Sequence, residues 1–326
     1  DKDHSLALHT DLYEINMMYT YFKKGIADRN AVFEAFYRTE PFGNGYAVYA
    51  GLEHIIDYLK NLKFKESDLQ YLKEQEGYDD DFIDYLRNLK LKLTIRSMKE
   101  GELVFANEPI FQVEGPLAQC QLVETAILNI INFQTLLATK AARIRLAVKD
   151  DSLMEFGSRR AQETDAAIWG ARAAYIGGFD STSNVRAGKL FGIPITGTHA
   201  HALVEAFGSE YEAFKAYAET HKDCVFLVDT YDTVRSGVPN AIKVANEMGD
   251  KINFLGVRID SGDMAYISKQ VRKELDDAGY PNAKIFASND LDENTITNLK
   301  MQGAKIDVWG IGTNSITAYD QAALGA

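Results

Sequence analysis

The chain has 326 residues, a formal net charge of −12, 46% hydrophobic and 25% charged side chains. That length exceeds one ordinary core, so two domains or one large α/β barrel are expected, and the composition excludes a disordered chain. The acidic balance argues against general nucleic-acid binding, which needs a basic surface. A small phosphorylated substrate stays open, because local arginines can override the global charge. Cys120 and Cys224 have no metal-type spacing and make no disulfide framework, as in a cytoplasmic protein with reduced thiols.

At the N-terminus, Asp1–Thr10 carries no basic-then-apolar leader pattern. Leu12–Lys24 has helical apolar spacing, with Thr10 as candidate N-cap and Gly25 after its end. Ala31–Arg38 alternates like a strand, and Pro41–Gly45 reads as a turn-rich loop. Leu52–Leu89 reads as several amphipathic helices. Leu93–Glu114 returns to strands, and Pro116 opens a long helical stretch to about Val148. Its most apolar part, Ala126–Ala138, is interrupted by Asn129, Asn132 and Gln134 and is too short to span a bilayer, so no membrane partner is expected. These segments predict an N-terminal α/β domain over 1–115, with part of the helical region 116–150.

From Asp151 the texture changes, and 151–326 is predicted as an α/β barrel domain. Apolar runs recur at Leu153–Phe156, Ala174–Phe179, Ile193–Gly197, Cys224–Val228, Phe254–Ile259, Lys284–Ala287 and Ile306–Ile311, with helical patterns between them. Strands alternating with helices imply right-handed βαβ units and a parallel sheet, with chemistry at the carboxyl ends of the strands. Seven runs fall short of a complete eight-stranded barrel, so the barrel is expected to be irregular. The chain starts at Asp1 without a methionine and stops at Ala326 in mid-pattern, so a trimmed chain is expected.

A polar cluster follows each run. Together the clusters supply arginines (Arg159, Arg160, Arg258), hydroxyls (Ser181, Thr182, Ser183, Thr198), and glycine turns at Gly177-Gly178, Gly262 and Gly310-Ile311-Gly312-Thr313. Amides and arginines bind oxyanions, and Asp260 and Asp263 could hold Mg²⁺ together with substrate phosphates. Neither a Walker loop nor a dinucleotide fingerprint occurs. Each feature alone has a plainer reading: Gly310-Ile311-Gly312 as a tight turn, Asp260–Asp263 as a helix cap, Tyr13 as a buried aromatic. His199 and His201, two apart, face one side if they lie on a strand, and alone are structural or a weak metal pair.

Six motifs in order carry a family resemblance: Thr10-Asp11-Leu12-Tyr13-Glu14, Glu155-Phe156-Gly157-Ser158-Arg159-Arg160, Gly178–Asn184, Gly197-Thr198-His199-Ala200-His201, Gly256–Asp263 and Gly310-Ile311-Gly312-Thr313. They resemble nicotinate phosphoribosyltransferase over nearly the whole chain. The resemblance implies a type II phosphoribosyltransferase fold, an N-terminal α/β domain followed by an irregular α/β barrel. It implies transfer of phosphoribose from 5-phosphoribosyl-1-pyrophosphate (PRPP) to nicotinate with Mg²⁺, coupled to ATP through a phosphohistidine. In that pattern His201 is the phosphorylated residue, and Asp260 and Arg258 complete the catalytic set. Tyr13 and Phe156 match the aromatic pair around the pyridine, Tyr13 coming from the second subunit of a homodimer. Thr198 and Arg258 match nicotinate contacts, Arg159 a phosphate contact, and Thr313, with Gly310 and Gly312, the phosphoribosyl contact. Ser183 stands where nicotinamide-using relatives carry an aspartate, and a hydroxyl suits a carboxylate-bearing base. A nicotinamide- or quinolinate-type transferase, or a barrel protein for another sugar phosphate, is the competing reading. His199, on the same strand as His201, is expected to position its neighbour.

Overall fold

The structure is a computed structural model that describes residues 5–326; the first four residues of the stretch Asp1–Thr10 lie outside the described residues. The chain divides into two compact units, 1–139 with 321–326, and 140–320. The division falls inside one long helix, α6, rather than at the change of texture near Asp151.

In the first unit, α1 (Leu12–Lys23), β1 (Asn30–Ala35), β2 (Ala47–Val48), α2 (Leu52–Asn61), α3 (Glu66–Glu76), α4 (Asp80–Arg87), β3 (Thr94–Ser97), β4 (Leu103–Val104), β5 (Phe111–Pro116), α5 (Leu117–Leu122) and the first part of α6 (Glu124–Val148) follow in order. The N-cap of α1 is Asp11 and not Thr10, whose hydroxyl instead donates to the Leu122 carbonyl. β1, β5 and β3 form an antiparallel sheet in that order, and β2 pairs with β4. The alternation read in Ala31–Arg38 is the half-exposed face of an antiparallel strand. Ile15 and Met18 of α1 pack with Phe82 and Leu86 of α4 and with Leu69 of α3. Aromatic rings dominate this core, Phe82 lying 5.0 Å from Tyr19 and 5.1 Å from Tyr78 between centroids.

The second unit continues with β6 (Ser152–Glu155), α7 (Thr164–Gly177), β7 (Ser181–Thr182), α8 (Val185–Phe191), α9 (His201–Phe207), α10 (Glu210–Thr220), β8 (Asp223–Leu227), α11 (Val238–Met248), β9 (Asn253–Ile259), α12 (Met264–Asp277), β10 (Lys284–Ala287), α13 (Glu293–Met301), β11 (Val308–Ile311) and α14 (Thr313–Ile316). Its six strands form one parallel sheet in the order β7-β6-β11-β10-β9-β8. β8, β10 and β11 are almost wholly buried apolar runs, as strands covered on both faces are.

Two predicted strands are corrected. Ala174–Phe179 is mostly the last turn of α7 and its glycine cap, because Ala and Tyr continue a helix as readily as they enter a strand; the strand is the two-residue β7. Ile193–Gly197 joins no ladder. It touches β7 through one parallel bridge, Thr182 to Ile195, with the Thr182 N–H donating to the Pro194 carbonyl and the Thr196 N–H to that of Thr182. Its continuation reaches β8 on the other side, where the Leu227 N–H donates to His199 Nε2 at 3.2 Å. Residues 193–199 therefore span the gap between the two end strands, and the six-stranded arc becomes an irregular barrel.

Candidate active site

At the end of β9, Arg258 makes three links along the carboxyl edge. Its Nε donates to Ser288 Oγ at 2.9 Å, its Nη1 donates to Thr198 Oγ1 at 2.8 Å, and its guanidinium lies 5.6 Å from the centre of the Phe156 ring. Phe156 follows β6, and its ring lies against Gly310 of the neighbouring β11. A Cβ at Gly310 would come within 2.6 Å of that ring, so only glycine leaves the ring its place. Ser183 follows β7, on the other side of β6, with its N–H donating to the Glu155 carbonyl at 2.9 Å. Gly312 and Thr313 lie at the start of α14, after β11. Arg159 and Arg160 are exposed on the 3-10 turn Ser158–Arg160. The edge thus brings together Phe156, Arg159, Ser183, Thr198, Arg258, Gly310, Gly312 and Thr313 in one unit. Tyr13 belongs to the other unit, where it is 49% exposed and donates to Glu124 Oε1 at 3.2 Å.

The two histidines do not share a strand, which corrects the expected geometry. His199 closes the irregular segment and His201 opens α9, so their side chains diverge. His199 is 7% exposed, among Phe214, Tyr217 and Phe226. Burial, with Arg258 nearby, pushes its pKa down to about 4. Its Nε2 accepts from Leu227, so its proton sits on Nδ1. Its Nε2 ties it to β8, and its Nδ1 faces the carbonyl of Ala200, the residue before His201, at 3.4 Å.

His201 is 38% exposed. Its Nδ1 lies 2.9 Å from Thr230 Oγ1, and its Nε2 faces two carboxylates, 3.8 Å from Asp229 Oδ1 and 3.7 Å from Asp260 Oδ2. Thr230, not His199, orients this ring. Asp229 is anchored through Oδ2, which accepts from the Asp260 N–H at 3.1 Å and from the Ser261 hydroxyl. Asp260 Oδ1 accepts from Ser288 Oγ at 2.5 Å and lies 3.6 Å from Arg258 Nη2.

The donor set suits a hard divalent cation in part. Asp229 Oδ1 is buried with no hydrogen-bond partner, and Asp260 Oδ2 is turned toward the same imidazole. No group of three His, Cys, Asp or Glu side chains able to hold a metal occurs among the described residues. The protein therefore offers one or two carboxylates, as Mg²⁺ takes when substrate oxygens and water complete its shell. Asp263 uses Oδ1 to cap α12, accepting from the Tyr266 N–H at 3.2 Å.

Asp229, Thr230 and Ser288 were not singled out from the sequence, although each lies in a polar cluster after an apolar run. Glu155 opens one of the family motifs but was given no role of its own. It is fully buried at the end of β6, with Oε1 accepting from the Gly157 N–H at 2.5 Å and Oε2 from Thr182 Oγ1 at 2.6 Å.

These features define the class: an irregular α/β barrel whose carboxyl edge carries arginines, hydroxyls and glycine turns of the kind that bind oxyanions, beside a histidine flanked by two carboxylates. The profile of the nicotinate phosphoribosyltransferase (NAPRTase) N-terminal domain matches residues 8–132, and that of the NAPRTase family matches residues 152–324. A nicotinate phosphoribosyltransferase of Bacillus subtilis is 67% identical over 100% of this chain and 66% of its own length. One of Mycobacterium tuberculosis is 42% identical over 99% of this chain and 69% of its own. The crystal structure of human nicotinic acid phosphoribosyltransferase superposes with a TM-score of 0.87 at 33% identity, covering 93% of this chain and 72% of that one. The chain belongs to the nicotinate phosphoribosyltransferase family, with the type II phosphoribosyltransferase fold. It spans about two thirds of the length of the Bacillus relative. No described helix is long and apolar enough to cross a membrane.

Proposed function

We propose that this protein transfers phosphoribose from PRPP to nicotinate, releasing nicotinate mononucleotide and pyrophosphate in NAD biosynthesis, with ATP hydrolysed to ADP and phosphate alongside. The observation that carries the reading is the site at one sheet edge, on a chain 67% identical throughout to a named nicotinate phosphoribosyltransferase. The base nitrogen attacks C1 of the ribose as the C1–O bond to pyrophosphate breaks. The transition state resembles an oxocarbenium ion, as in glycoside chemistry, so the protein's part is positioning and electrostatic stabilisation.

Phe156 stacks on the pyridine, and Arg258, held by Thr198 and Ser288, meets its carboxylate. Ser183 donates to that carboxylate, where an aspartate would repel it. Arg159 and the Gly310–Thr313 turn take the phosphate. Asp260, with Asp229, holds the ribose hydroxyls or Mg²⁺, which when bound screens the charge on pyrophosphate.

His201 is the phosphoryl acceptor. With its proton on Nδ1 donated to Thr230, Nε2 keeps a lone pair that attacks the γ-phosphorus of ATP as the bond to the ADP oxygen breaks. Water later takes the phosphoryl group off as phosphate. The spent nitrogens and burial of His199 support the choice.

The protein works as a homodimer in which Tyr13 faces the pyridine of the partner's site. This is supported by the exposed ring of Tyr13 beside exposed Leu12 and Met17 on α1. The test is to incubate the protein with PRPP, Mg²⁺ and nicotinate, nicotinamide or quinolinate in turn, with and without ATP, and to follow mononucleotide. Product with nicotinate alone, raised by ATP, supports the reading; product with nicotinamide or quinolinate and none with nicotinate overturns it.

A further inference from the structure

Glu155 is a buried acid whose two partners are neutral, the Gly157 N–H and the Thr182 hydroxyl. Burial raises its pKa above the ordinary carboxylate value. Neutral donors offset only part of the cost of taking a carboxyl group out of water, so packing alone would be served better by an apolar side chain. The groups it holds are informative. Gly157 directly follows Phe156, and Thr182 directly precedes Ser183.

The tie is reinforced around it. The Glu155 carbonyl accepts from the Ser183 N–H at 2.9 Å, the Thr182 hydroxyl accepts from the Asn184 N–H at 3.1 Å, and Asn184 Nδ2 donates to Ser158 Oγ at 3.0 Å. The turn at Gly157 has no slack: a Cβ there would lie 2.9 Å from Glu155 Oε1 and 2.6 Å from Ile316. The loops after β6 and β7 are therefore pinned to each other through one side chain.

We infer that Glu155 is a positioning residue for the pyridine base, its carboxyl group setting the gap between the Phe156 ring and the Ser183 hydroxyl. The inference rests on the proposed function, in which those two residues meet the two ends of nicotinate. It gives the site a means of recognising the base separately from PRPP.

The test is steady-state kinetics on Glu155→Gln, Thr182→Val and the double variant, with melting temperatures. Glutamine keeps one acceptor oxygen and turns the other into an amino group, so either the Gly157 N–H loses its acceptor or the Thr182 hydroxyl must reverse its role and turn from donor to acceptor, and the tie is weakened; valine removes the Thr182 end of the tie outright at nearly constant volume. Each single variant should raise KM for nicotinate roughly tenfold, as loss of one buried hydrogen bond implies. Values of kcat and KM for PRPP should stay within about threefold, inside the variation of neutral substitutions. The double variant should be no worse than the poorer single one, because both cut the same tie. Thr182→Val alone decides if Glu155→Gln does not fold. The inference is overturned if KM for nicotinate is unchanged, or if all kinetic constants fall together with the melting temperature, as for a purely structural residue. Unaltered protein that makes no mononucleotide from nicotinate overturns the functional reading and the inference together; active protein with indifferent variants overturns the inference alone.

Discussion

Acid should loosen the barrel through His199. In the folded protein its pKa is about 4, against an ordinary value of 6.5. The imidazole is buried among Phe214, Tyr217 and Phe226, and Nε2 already accepts from Leu227, so a second proton would break that bond and place a charge in an apolar cage. The lowered pKa means that the unfolded chain takes up the proton first. The stability tied to neutral His199 is complete above pH 6.5 and is lost as pH falls through the window from 6.5 to about 4. A shift of that size corresponds to about 3 kcal/mol, or 1–1.4 kcal/mol per pH unit within the window. The comparison is His199→Gln, whose carbonyl can still accept from Leu227 and whose side chain does not titrate. Urea unfolding followed by tryptophan fluorescence reads the barrel unit alone, because both tryptophans, Trp169 and Trp309, belong to it. The stability difference between the two proteins should shrink or reverse by about 3 kcal/mol from pH 7.5 to pH 4. Parallel pH profiles would refute the reasoning, since the acid sensitivity would then come from other groups.

Three further outcomes are expected. Ser183→Asp should lower kcat/KM for nicotinate about tenfold or more by placing a like charge near the base carboxylate, with a smaller effect on nicotinamide; equal losses for both bases would contradict the assigned contact. His201→Ala should abolish acid-labile ³²P labelling from ATP and ATP-stimulated turnover while leaving slow ATP-independent synthesis, and a persistent label on the variant would count against His201. Gly310→Ala should cost about 1–3 kcal/mol in unfolding free energy and weaken nicotinate binding, because the methyl group displaces Phe156; calorimetry showing an unchanged Tm and affinity would contradict that packing.

The parallel sheet was legible in the sequence because β8, β10 and β11 are short apolar runs bounded by polar clusters, and burial on both faces makes such runs continuous. Ala174–Phe179 misled because a buried helix end composed of alanine and glycine has the same local pattern as a strand. β7 was invisible as a strand, since two polar residues give no periodicity. Of the residues that meet at the edge, Asp260 and His201 stand out in the sequence as polar residues that follow apolar runs, and Arg258 as a charge near the end of one. The division of labour between His199 and His201 could not be read, as it depends on where the chain leaves extended conformation and turns into α9. Glu155 carries no local signal either: a lone acid closing a strand reads as a solvent-facing residue until the partner strand is known.

The segment 193–199 bears on association as well as on shape. A six-stranded arc has two open flanks, and unpaired backbone at a flank can recruit another chain. β8 is such a flank, and Cys224 to Leu227 along it are entirely apolar and buried. Leu227 offers its N–H there, and an imidazole occupies it. His199 thus fills a backbone position that another strand would otherwise use, and the flank of the sheet is closed by a side chain where it lacks a neighbouring strand.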